Sequence, residues 1–291
     1  SGDQLYKMDL GRFFDFHVAK KSQITIACHL IKAEDVAAFG IVGADASDRI
    51  VEFIEKPRDA GAVKSWAITH QGQEKFLCSM GIYFFDKDVL FDVLADCAKA
   101  DFGKEVIPAS IKTKRTYAYP FEGYWRDIGT ISSFFEENLR MTQAAPPIDL
   151  FDEDWQFFTR SRSLPPARCE NARIEQSIVA DGCVIEAATI KGSVIGLRSI
   201  VGREALVEDS IVMGADYYEA RRDVSSAAVP VGIGAGSVVR RAILDKNARI
   251  GAGVRIENKQ RLKDAEGPGY LIRDGIVIIC KNAVIPPGTV I

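Results

Sequence analysis

Residues 172–216 read ARIEQS, IVADGC, VIEAA, TIKGS, VIGLRS, IVGREA, LVEDS, IVMGAD. Each of these short units carries one branched apolar residue: Ile174, Val179, Ile185, Ile190, Ile195, Val201, Val207 and Val212. After a break at about 216–231 the pattern resumes as GIGAGS, VVRRA, ILDKNA, RIGAGV, RIENKQ, with Ile233, Val239, Leu244, Ile250 and Ile256 in the same role. One inward-pointing residue every five or six positions is the signature of a β-helix, in which each unit is a short strand and three units make a coil. A single coil cannot bury its own apolar side, so coils must stack around a shared axis. Glycine and asparagine at the corners permit the tight turns. A helical reading of this stretch fails, because β-branched residues dominate and helix spacing is absent. Beyond a charged break at 258–274, GIVIICKNAVIPPGTVI reads as the closing coil.

Working outward, residues 141–170 form an expected connector. Pro146-Pro147 and Pro165-Pro166 bracket the acidic, aromatic DLFDEDWQFF, and paired prolines disfavour regular structure. Residues 1–140 alternate strand and helix patterns. Leu10, Phe13, Phe14, His17 and Val18 fall on one helix face, and ITIACHLI (24–31), GIVGAD (40–45), IVEFIEKP (50–57) and SMGIYFFD (79–86) read as strands. An amphipathic helix carrying Val89, Leu90, Val93, Leu94 and Cys97 follows, and DFGKEVIPASIK and TISSFFEENLRM predict two more helical pieces. This alternation implies an α/β sheet.

The 291 residues suffice for two domains, and 47% of them are apolar. A net charge of -3, with both signs interspersed, argues against nucleic-acid or membrane-surface binding. There is no apolar run of about 18 residues, so no membrane helix is expected. The opening SGDQLYKMDL does not read as a signal peptide. Six scattered cysteines form no C-x-x-C pair; Cys28, Cys78 and Cys183 lie in apolar runs and are expected in the core, as in a reducing cytosol.

In order, SGDQLYKMD (1–9), EFIEKP (52–57), SMGIYFF (79–85), DFGKEVIP (101–108) and YWRDIGT (124–130) closely resemble the ADP-glucose pyrophosphorylases. The repeats add MGADYYE (213–219), VGIGAGS (231–237), DKNARIG (245–251) and a terminal GTVI (288–291), which resemble the cyanobacterial and plant branch. The resemblance implies a partial Rossmann-like nucleotidyltransferase domain over 1–140 and a left-handed parallel β-helix of hexapeptide repeats over 171–291, the latter regulatory and oligomeric. It implies transfer of the adenylyl group of ATP to glucose 1-phosphate, giving ADP-glucose and pyrophosphate for glycogen or starch synthesis. Tetramers, homo- or hetero-, and a cytoplasmic location (plastid in a plant) go with it. One departure stands out. The family's glycine-rich loop, G-G-x-G-T-R-L, has no counterpart here, and Ser1-Gly2-Asp3 falls where the family has just completed an apolar strand. The chain is therefore expected to be a piece of a longer product or a shortened protein, inactive alone and loosely folded over 1–140.

The reaction must hold two anions together and neutralise charge on the leaving pyrophosphate, a task suited to Mg2+ and its hard oxygen ligands. By resemblance, Asp3 and Asp127 are the catalytic, metal-binding pair. Glu55 and Lys56 are the glucose 1-phosphate pair, Lys56 offering charge to the phosphate and Glu55 accepting sugar hydroxyls. Strand alternation sends these two side chains in opposite directions, so the turn at Pro57 must reorient one. Ser79 resembles a further sugar-phosphate contact, and Asp101 and Lys104 are expected to cap and orient a helix nearby. Lys246, Arg249 and Lys281 resemble the allosteric positions at which 3-phosphoglycerate activates and phosphate inhibits; Arg240-Arg241 and Arg221-Arg222 add basic charge. Trp66, Trp125 and Trp155 are expected to pack, with Trp125 steadying the loop that holds Asp127.

Three alternatives remain. One is a non-catalytic regulatory subunit of the same assembly. Another is a nucleotidyltransferase for a different sugar or nucleotide. The third, a hexapeptide acyltransferase, leaves IEKP and YWRDIGT unexplained, and no histidine follows His70 to serve it.

Overall fold

The computed structural model describes residues 2–95, 101–219 and 229–291; Cys97, Arg221 and Arg222 lie outside them. The chain divides into two compact units, Ser1–Arg126 and Asp127–Ile291.

The first unit contains β1 (Gln4–Tyr6), α1 (Leu10–Ala19), β2 (Ile24–Ile31), β3 (Gly40–Ala44), β4 (Ile50–Glu55), β5 (Ile68–His70), β6 (Gln73–Phe85), α2 (Lys87–Leu94), α3 (Ile107–Ser110) and β7 (Thr116–Pro120). β8 (Trp125–Asp127) crosses its end and pairs with β1. The main sheet runs β4-β3-β6-β2-β7. Its pairs are antiparallel except β2 with β7, so the described sheet is mixed. Alternation along β2 serves two cores. Ile24, Ile26 and Cys28 pack with Val89 of α2 and Ile107 of α3, whereas Ala27 and Ile31 pack with Phe13 of α1, Phe76 and Trp125. Asp9 caps α1 by accepting the Gly11 and Arg12 N–H groups. Only part of the expected α1 face is covered. Phe13 and His17 are buried, while Leu10, Phe14 and Val18 are more than half exposed and form a stripe along the helix. The His17 ring is satisfied by Thr25 (2.7 Å), a packing role rather than a catalytic one.

In the second unit the repeat builds a three-sided prism. One side stacks Arg173–Glu175, Thr189–Lys191, Leu206–Glu208, Val238–Arg240 and Arg255–Ile256, all parallel. The other two sides have six and seven strands. The inward residues Ile185, Ile190, Ile195, Val201, Val207, Val239, Ile250 and Ile256 are fully buried in one continuous core. Ile174, from the first coil of the repeat, is 38% exposed, because no coil covers it from below. The first strand of the prism, Arg168–Glu170, precedes the first unit of the readable repeat. The charged break folds as a hairpin, Ala265–Gly267 with Tyr270–Arg273, which adds antiparallel strands beside Ile276–Ile279.

Charges outside the five-stranded side alternate in sign from coil to coil. Glu175, Lys191, Glu208 and Arg240 are register partners, and Arg240 then reaches Glu257 at 2.6 Å. A helix, α4 (Ile131–Arg140), lies in this unit, where Phe135 packs on Ile211, Ile243 and Ile276. Its start is fixed by a capping box between Thr130 and Ser133. Trp155, in the connector, is 44% exposed.

Candidate functional site

Glu55 ends β4 and is half-buried. Its carboxylate lies in a gap made by two glycines. A methyl group on Gly40, at the start of β3, or on Gly103 would fall 2.6 Å from Glu55 Oε2. Burial pushes the Glu55 carboxyl above the usual range; Lys56 opposes this, Asp101 adds to it and Lys104 opposes it. These residues therefore form one electrostatic cluster. Lys56 has φ +46°, a left-handed conformation uncommon for a side-chain-bearing residue. Its N–H still donates to the Phe39 carbonyl (3.0 Å), so the strand ladder survives up to the turn. The strand alternation between Glu55 and Lys56 is thus broken at Lys56 itself, one residue before the proline.

Asp101 caps a short π-helix, Phe102–Val106, by accepting the Lys104 N–H at 2.9 Å, and Glu105 accepts the Asp101 N–H at 3.1 Å. This is the orienting role expected of DFGK. It places Gly103 against Glu55, and it stacks Phe102 on Tyr83 with ring centroids 5.7 Å apart.

Ser79 lies on β6 beside a bulge. Ile26 pairs with Tyr83 and Cys28 with Ser79, so Met80, Gly81 and Ile82 oppose the single residue Ala27. Within this bulge the Ser79 hydroxyl accepts the Gly81 N–H (3.2 Å). Burial raises the Tyr83 hydroxyl above its ordinary value, and the Ser79 hydroxyl partly offsets that. Tyr83 and Gly103 are site residues that pattern reading missed. Tyr83 sat within SMGIYFF as one more apolar strand position.

Asp3 is exposed and immediately precedes β1; Asp127 is half-buried and ends β8, the strand paired with β1. Asp127 Oδ1 accepts the Gly129 N–H (2.9 Å), which orients the carboxylate. Trp125 is buried between the rings of His29 and Phe39, and its Nε1–H donates to Gln4 Oε1 (3.3 Å), tying β8 to β1. Among the described residues no group of three or more acidic, histidine or cysteine side chains could hold a metal. Two hard carboxylates suit magnesium, which usually keeps waters and substrate phosphates as its other ligands.

The expected effector residues divide. Lys246 Nζ donates to Asp216 Oδ1 (3.0 Å), and Lys281 Nζ lies 3.8 Å from Asp216 Oδ2. The Lys246 and Asn247 side chains hold the Asp216 carboxyl below its usual range. Asn247 also donates to Asn282 (3.0 Å), the equivalent corner of the next coil. Arg249 turns elsewhere: it pairs with Glu219 and donates to the Val229 carbonyl (2.8 Å). A cavity of about 420 Å3 holds Lys246 and Asp216 together with Arg160, Arg162 and Arg198, three cations the motifs did not point to.

Residues 1–144 match the family described as Nucleotidyl transferase, and residues 162–290 match the GLGC left-handed parallel beta-helix domain. The chain joins a nucleotidyl transferase domain to a GLGC β-helix. In the nucleotidyl transferase domain the described residues gather Glu55, Ser79, Tyr83, Gly103 and the Asp101 cap, with the Lys56 charge beside them. In the GLGC β-helix, Lys246 and Lys281 meet at Asp216. Among the described residues no helix is long and apolar enough to cross a membrane.

Proposed function

We propose that this chain carries the sugar-phosphate site and the effector domain of an enzyme that transfers the adenylyl group of ATP to glucose 1-phosphate. The observation that carries this reading is the Glu55–Lys56 strand end, where a half-buried acceptor is held by Gly40 and Gly103 and the next residue, a cation, takes a left-handed turn. A hexose phosphate needs that combination: an acceptor for hydroxyls and a cation for phosphate. Ser79 and Tyr83 add hydroxyls at the same bulge.

In the reaction a phosphate oxygen of glucose 1-phosphate forms a bond to the α-phosphorus of ATP. The bond from that phosphorus to the bridging β-oxygen breaks, and pyrophosphate leaves with the electron pair. No protein nucleophile is required; positioning and charge neutralisation supply the rate. Lys56 would bind the sugar phosphate, Glu55 would orient the hexose, and Asp3 with Asp127 would hold Mg2+. When bound, Mg2+ would neutralise charge building on the phosphates. On the second unit, Lys246 and Lys281 would exchange Asp216 for a phosphorylated effector such as 3-phosphoglycerate, with inorganic phosphate as competitor. A tetramer would be the working assembly.

The test is steady-state kinetics of the full-length gene product with ATP, UTP, GTP and dTTP. ATP should be preferred, Asp3→Asn should lower kcat by about a hundredfold or more, and Lys56→Ala should raise the KM for glucose 1-phosphate by at least about tenfold, the cost of one charge-assisted contact. A clear preference for UTP or dTTP would move the reading to another sugar nucleotide. Full activity in Asp3→Asn would remove that aspartate from the site.

A further inference from the structure

The β-helix carries a second basic concavity, separate from the one that contains Lys246. It measures about 600 Å3, and its walls include Arg240, Arg241, Glu257, Lys259, Arg261 and Lys263. That volume lies within the roughly 300–1,000 Å3 range of small-molecule sites.

In the alternating ladder of the five-stranded side cations are matched by carboxylates. In this concavity only some of them are. Two carboxylates line the concavity, and both are engaged. Glu257, its side chain 9% exposed, is shared by Arg240 (2.6 Å), Arg255 (2.9 Å) and Lys259 (3.5 Å). Asp274 accepts the Ser132 hydroxyl (3.0 Å). Arg241 lies over the Phe135 ring, 5.5 Å from its centroid. Among the described residues Arg241, Arg261 and Lys263 form no ion pair.

The loop that presents two of these cations is held in place by the Asn258 side-chain amide and by backbone bonds. Asn258 accepts the Leu262 N–H (3.0 Å) and donates to the carbonyls of Leu262 (2.9 Å) and Gly275 (3.0 Å). The Gly275 N–H donates to the Lys263 carbonyl (2.9 Å), and Arg261, at φ +53°, donates its N–H to Asn258 (2.9 Å). Three like charges are thus carried around one hollow by an ordered backbone, an arrangement that suits an anion able to make charge-assisted contacts to several of them at once.

We propose that this concavity binds a phosphate group, free or carried by a small metabolite, through Arg241, Arg261 and Lys263. The proposal does not depend on the sugar-phosphate site or on the Lys246–Lys281 pair.

The test uses the purified full chain and pyridoxal 5′-phosphate, whose aldehyde condenses with a lysine amine, releasing water, and is then fixed by borohydride reduction of the imine. Peptide mass spectrometry reads the adduct at each lysine. Labelling of Lys259 or Lys263 should saturate with probe concentration. It should fall about tenfold in Arg261→Gln or Arg241→Gln, as expected for one lost charge-assisted contact, while labelling of Lys246 and Lys281 is unchanged. Protection by inorganic phosphate alone would identify the free ion as ligand; stronger protection by glycerol 2-phosphate would identify an ester; either supports the site. Labelling that rises linearly with probe, or equal labelling by pyridoxal without its phosphate, would overturn it. So would protection by a peptide of residues 149–158 with none by phosphate, which would make the concavity a contact between chains.

Discussion

The two units spend their charges and glycines differently. In the prism, side chains repeat from coil to coil, and each inward residue from Ile185 to Ile256 is buried in the stack. In the α/β unit the site residues are singular: a bulge at Met80–Ile82, a left-handed lysine and a carboxylate fitted between two glycines. Stability is a property of the stack, while specificity is made from local departures from regularity. Departures of this kind cluster at functional sites.

The largest effect should come from inside the stack. Ile250→Ala should cost about 2–5 kcal/mol in denaturant unfolding, whereas Ile174→Ala, at the 38%-exposed first coil, should cost less than about 1 kcal/mol. Equal losses would mean that the first coil is covered as well as the inner ones. Next come the glycines. A methyl group at Gly214 (φ +84°) would strike the Leu197 carbonyl in the adjacent coil, and backbone cannot swing away, so Gly214→Ala should destabilise by about 1–3 kcal/mol. Gly103→Ala meets only the far end of Glu55. It should leave the melting temperature nearly unchanged and raise the KM for glucose 1-phosphate severalfold, because the carboxylate must move.

Glu55→Gln sharpens the contrast through pH. Burial raises the folded-state pKa of Glu55, so its contribution favours folding below the ordinary glutamate pKa of about 4.3 and is lost as pH rises through the raised folded value. The variant should therefore melt higher than the parent at pH 7, with the difference closing toward pH 4, while sugar-phosphate binding weakens. A difference that does not change with pH would show that the carboxylate is not the cause. The smallest effect belongs to the charge ladder. Glu208→Gln removes one half-buried partner of Arg240, which keeps Glu257, and should cost about 0.5 kcal/mol or less, and less still at 1 M salt.

The prism was legible because its period is enforced by geometry: a branched residue must return to the axis in every unit, and those from Ile185 to Ile256 do. The antiparallel hairpin within 258–274 was not, since its two short strands carry charges outward and GPG closes the turn without a repeat. In the α/β unit EKP and DFGK could be placed at strand and helix ends from their turn chemistry. The bulge could not, because SMGIYFF alternates well enough to pass as continuous strand, and so the three residues it sets against Ala27 stayed hidden. Arg249 was grouped with Lys246 and Lys281 by resemblance. Its partner, Glu219, lies within the long break, where no repeat positions it, and spacing alone does not reveal such a pairing.

Asp127 is separated from Thr130, the fixed cap of α4, by Ile128 and Gly129 alone. Three peptide steps reach at most about 11 Å. Because Phe135 is anchored in the outer face of the prism, this acidic group is tethered, by a leash of that length, to a helix cap seated on the coils.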